Sequence, residues 1–109
     1  MNSEITKLHR RLIDTHDELQ QRLARTKDQQ EAEAILQEMD EVNFRVMAAG
    51  RALFKETSAT FDEKIKTVIE AGDDLGDSIG SLDKTRDIIK SVGKFLAAAD
   101  KVLDALKFL

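Results

Sequence analysis

The side chains best suited to chemistry in this chain are two histidines, His9 and His16, and an acidic group, Asp73, Asp74, Asp77 and Asp83. The histidines stand seven residues apart, which on a helix places them on one face about 10 Å apart along the axis. A single metal ion takes ligands three or four residues apart, so this pair shares an ion only with help from another helix or subunit. Thr6 and Ile13 occupy the positions three before each histidine, so the Glu-x-x-His pattern of a di-iron carboxylate site is missing. The expected role is that of boundary residues beside Leu12 and Leu19, made pH-sensitive where an interface buries them.

The acidic group fails as a calcium loop for a positional reason. Counting from Asp73, position 3 is Leu75 and position 6 is Ser78, where an EF-hand needs an oxygen ligand and a glycine. A solvated acidic face is the expectation. No cysteine is present, which removes thiolate zinc sites, thiol nucleophiles and disulfides. The run GDDLG at Gly72–Gly76 follows no strand and is no nucleotide fingerprint. With no nucleophile placed beside a base, the reading is of a non-enzyme without cofactor or metal.

The elements that carry these residues are helices. At 109 residues the chain makes one domain, 1–109, and it contains no Pro, Trp or Tyr, where average usage gives about five prolines. The first apolar stripe runs Ile5, Leu8, Leu12, Leu19, Leu23. From Arg25 to Glu33 no large apolar side chain occurs, and the pattern resumes at Ile35 about a third of a turn out of phase, with Asp28 and Glu31 as a cap signal. The second stripe, Ile35, Met39, Val42, Val46, Ala49 and Leu53, is flanked by Leu36, Met47, Gly50 and Phe54, with Phe44 further round and Asn43 as a polar intruder. So wide a face is expected to touch two neighbours. Thr60 with Glu63 reads as a capping box for a third helix, whose stripe is Phe61, Ile65, Val68, Gly72, Leu75, Ile79 and Leu82.

Three glycines spaced by four, Gly72, Gly76 and Gly80, interrupt that stripe. Each costs a helix about 1 kcal/mol relative to alanine, so together they mark either a ridge for close helix approach or a break, with Ser81 and Asp83 as an alternative helix start. The last stripe, Ile89, Val92, Leu96, Ala99, Leu103 and Leu106, is the cleanest in the chain. Charge switches at the same place. Residues 61–83 hold seven acidic side chains and two lysines; residues 84–109 hold three acidic and six basic.

The fold class is therefore all-α, an antiparallel helical bundle in one of two forms. Either four helices, near 3–25, 28–56, 60–79 and 81–108, make an up-down bundle, or two helices of about 50 residues form a hairpin about 75 Å long that dimerises. The functional expectation is self-association as a homo-oligomer, a dimer, and interaction with another protein. Leu12, Leu19, Met39, Val42, Val46, Gly72, Gly76, Leu96 and Leu103 are the residues expected to carry assembly. Binding to a membrane surface through the cationic amphipathic segment 84–109 is the alternative. The net charge of −4 and the absence of a basic stripe with aromatics disfavour nucleic acid. The charged N-terminal segment and the lack of an apolar run of about 18 residues lead to a cytoplasmic expectation.

Overall fold

Asn2 begins the fold from two directions. Its Oδ1 accepts from the backbone N–H of Glu4 and Ile5 at 3.0 Å each, capping α1 (Ser3–Ala24). Its Nδ2 donates to the Lys55 carbonyl at 3.1 Å and the Thr57 hydroxyl at 2.8 Å, and its backbone N–H donates to the Leu53 carbonyl at 2.7 Å. One residue thus ties the start of α1 to the segment that leaves α2 (Gln29–Arg51) and enters α3 (Ala59–Ile79). At the far end, Arg22 of α1 donates to the carbonyls of Leu82 and Asp83, in the turn between α3 and α4 (Thr85–Leu106). The computed structural model describes residues 1–109.

These two ties fix the directions. α1 and α3 start at one end and run together; α2 and α4 start at the other and run back. α1 packs on α2 and α3, α4 packs on the same two, and the diagonal pairs are not neighbours. The molecule is thus two antiparallel hairpins, α1–α2 and α3–α4, laid side by side with like-directed helices facing. Residues 52–58 cross one end diagonally from α2 to α3. The extents of 44 × 21 × 18 Å select the four-helix form over the long hairpin.

The core draws on every helix: Ile5, Leu8, Leu12 and Leu19 from α1, Ile35, Met39, Val42 and Ala49 from α2, Ile65, Val68, Leu75 and Ile79 from α3. α4 contributes most, burying Ile88, Val92, Phe95, Leu96, Ala99, Val102, Leu103 and Leu106. Completely burying a side chain of this size is worth about 1.5–3 kcal/mol, so α4 is held chiefly by its apolar face.

Three boundaries depart from the sequence reading. α2 ends at Arg51, not near residue 56, because the carbonyls of Leu53 and Lys55 are bonded by Asn2 instead of by a further helical turn. α3 is capped by Ser58, not Thr60: the Ser58 hydroxyl accepts from Phe61 N–H at 3.1 Å. α4 starts at Thr85, not at residue 81, because the Ser81 hydroxyl turns back to the carbonyls of Asp77 and Ser78 and closes α3. Asp28 does cap α2, accepting from Glu31 N–H at 3.0 Å. No helix is long and apolar enough to cross a membrane.

Candidate interaction surface

The glycine ridge proves to be two features. Gly72 and Gly76 lie within α3, and Gly80 is the residue at which α3 stops. A Cβ on Gly72 would meet Arg11 Cγ at 2.7 Å and Phe95 Cε1 at 2.9 Å, and one on Gly76 would run into the Glu18 carboxylate. Gly80 has open space around it. Gly72 and Gly76 therefore make room for side chains of α1, while Gly80 marks the break.

What fills that room is charged. The Arg11 side chain is only 10% exposed, paired with Glu18 two turns along the same face of its own helix and with Asp73 of α3 at 3.1 Å. Thr15, fully buried, donates to the Arg11 carbonyl at 3.0 Å and lies 3.4 Å from Arg11 Nη2. Arg11 Nε is buried without an acceptor, a cost of about 1–3 kcal/mol that the two carboxylates offset. Burial raises the Glu18 pKa above its ordinary value, and the Arg11 charge only partly opposes this. The second parallel seam has its own arginine. Arg45 of α2 holds Asp100 of α4 with two hydrogen bonds of 2.9 Å and Glu41 with a third of 2.6 Å; this geometry raises the Arg45 pKa further. Glu38 nearby is also raised, by burial and then by Glu41.

The residues expected to carry assembly all lie within the chain's own packing. Leu12, Leu19, Met39, Val42, Leu96 and Leu103 are buried in the shared core, Val46 packs against it, and Gly72 and Gly76 face Arg11 and Glu18. They pack the four helices of one molecule against each other, with Val46 and Gly76 only partly buried. His9 is half-buried against Gly50 of α2, and His16 is half-buried on the same edge of α1. The apolar face of the cationic C-terminal helix is likewise turned into the core.

Apart from Met1, Phe108 and Leu109 at the chain ends, the exposed large apolar side chains lie on α2 or just beyond it. Leu36, Phe44 and Met47 are 47%, 73% and 50% exposed, and Phe54 just beyond the helix is 81% exposed. At 100° per residue, Leu36, Asp40, Phe44, Met47 and Arg51 fall in an arc of about 80°, centred about 140° away from the core line of Ile35, Met39, Val42, Val46 and Ala49. The spacing sets Leu36 and Met47 on the flanks of one wide apolar face, with Phe44 further round; the structure turns all three outward, because α2 meets α1 and α4 only on its inner side. Asp40 and Arg51, both exposed, complete the outer stripe, and Asn43 sits exposed at its edge. Leaving a phenylalanine in water forgoes about 1.5–3 kcal/mol, and one helix here does so alongside a leucine and a methionine.

Fold and surface together define a class: a four-helix bundle of two parallel-packed hairpins with one apolar stripe facing outward. Comparison with protein-family models, with curated proteins and with solved structures finds no match to this chain.

Proposed function

We propose that the protein is a non-enzymatic bundle that acts by self-association and by helix-to-helix contact with other proteins, and that the outer face of α2 is the contact surface. The observation that carries this is the exposed set Leu36, Phe44 and Met47 on a single helix. Apolar side chains scattered singly over a surface need no explanation, whereas a stripe on one helix bordered by polar residues is the form of a protein contact. Glu33, Gln37, Glu41 and Asn43 supply that border. The membrane-surface reading of residues 84–109 draws less support, since exposing the apolar face of α4 requires opening the core.

Light scattering and sedimentation across micromolar concentrations test the proposal. We expect a dimer that Phe44→Glu and Met47→Lys each convert to monomer at unchanged helical content. A wild-type monomer at several hundred micromolar, or a dimer indifferent to both substitutions, overturns it.

A further inference from the structure

Resting on that reading, the geometry points to a second copy of the chain as the occupant of the α2 face, docked antiparallel about a two-fold axis that crosses α2 midway between Arg45 and Val46. The argument is charge and shape complementarity of the stripe with itself. In an antiparallel helix pair, two residues equidistant from the crossing point sit at the same level. Asp40 and Arg51 are eleven residues apart and Phe44 and Met47 are three apart, yet both pairs have the same midpoint. One two-fold crossing therefore sets Asp40 against Arg51 of the second copy and Phe44 against its Met47, each contact made twice by symmetry.

The components are free to do this. Neither Asp40 nor Arg51 belongs to any ion pair within the chain, whereas Arg45, beside the crossing point, is engaged with Glu41 and Asp100. The stripe spans about 22 Å from Leu36 to Arg51 at helical rise. The result is an apolar centre flanked on both sides by opposite-charge contacts, a pattern by which antiparallel helices fix register.

A competing register, centred on Val42, is also imaginable from the sequence. It pairs Glu33 with Arg51 and Leu36 with Ala48, but it sets Phe44, the most exposed large apolar side chain of the helix, against Asp40. Burying a carboxylate against a phenyl ring leaves the charge unpaired, so the register centred between Arg45 and Val46 is favoured.

Charge exchange tests the register. The dimer dissociation constant is measured by sedimentation equilibrium at low salt for the wild type, Asp40→Arg, Arg51→Asp and the double variant. These positions are exposed, and circular dichroism checks that the fold is kept. We expect each single variant to weaken association at least tenfold, because it sets like charges face to face twice per dimer, and the double variant to return to within about threefold of wild type. If the wild type dimerises but Asp40→Arg has no effect, or the double variant is no better than Arg51→Asp alone, the register is overturned while self-association stands. If the wild type is monomeric, the proposed function falls together with the register.

Discussion

Each parallel seam of the bundle holds one arginine near its middle, and the two arginines sit at different depths. Between α1 and α3, Arg11 lies across Gly72 and Gly76, where α3 presents no side chain, and its side chain is only 10% exposed, with Glu18 and Asp73 as partners. Between α2 and α4 no glycine opens the partner surface; Arg45 stays at the rim, 21% exposed, and spans to Asp100 over a groove of about 400 Å³ lined by Phe44, Ala48 and Leu103. Where glycine removes the wall, the charged side chain sinks and the seam shuts over it. Where the wall remains, the seam is bridged from outside and its bordering aromatic, Phe44, faces water. The closed seam is concerned with holding the hairpins together, and the open one borders the surface proposed for a second molecule.

Removing the arginines is the strongest way to break this comparison. Arg11→Ala loses an alkyl chain packed on Gly72 and leaves Glu18 in a half-buried site without its cation, so we expect a loss of about 2–3 kcal/mol in urea unfolding. Arg45→Ala removes a bidentate pair whose Asp100 is well exposed, so about 1 kcal/mol is expected. Equal losses would mean that depth makes no difference between the seams.

The glycines come next. Gly72→Ala introduces a Cβ within 3 Å of both Arg11 and Phe95; overpacking costs about 1–3 kcal/mol, against about 1 kcal/mol of helix propensity gained. A net loss of about 1–2 kcal/mol is expected, and less at Gly76, whose obstacle is the end of a flexible glutamate. In an Arg11→Ala background the cost at Gly72 should fall by about 1 kcal/mol, since the nearest obstacle is gone; strict additivity in that double-mutant cycle would show that Arg11 is not what the glycine accommodates. Gly93 of α4 is the control. Nothing lies near its missing Cβ, so Gly93→Ala should raise stability by about 0.5–1 kcal/mol, readable as a higher unfolding midpoint.

The helices and their inward lines were legible because a 3.6-residue apolar period runs within each segment and slips between the first two, at residues 25–33. Their ends were less so: Ser58 and Thr60 are hydroxyls two residues apart and either can cap, and only the tie from Asn2 to residues 53–57 decides between them. The pairing of α1 with α3 was not legible at all. It depends on a diagonal connection and on contacts between residues 60 apart, such as Arg22 with Leu82, which leave no periodic trace. The glycines announced an anomaly without its division into a socket at Gly72 and Gly76 and a stop at Gly80, because what fills the socket comes from another helix. The outer stripe of α2 shares the helical spacing of its core line, so a periodic reading joins Leu36 and Met47 to the core face; which part meets a neighbour is set by where α1 and α4 stand.

The smallest effect separates the seams by pH. Glu18 and Glu38 both have folded-state pKa values raised above the ordinary 4.5, each chiefly by burial. A raised carboxylate binds its proton more tightly in the folded state, so the stability it contributes is fully present below 4.5 and is lost as pH rises through the raised value. Acidification from neutral pH toward 4.5 should therefore add to stability through these two groups, and Glu18→Gln and Glu38→Gln should each flatten part of that slope. The arginines distinguish them. Arg11 is the leading influence holding Glu18 down, whereas Arg45 is the least of the three acting on Glu38. Arg11→Ala should thus move the Glu18 titration, followed by carboxyl carbon NMR, further upward than Arg45→Ala moves that of Glu38. A larger movement at Glu38 would place the stronger arginine–carboxylate coupling in the open seam, reversing the assignment of depth on which the comparison stands.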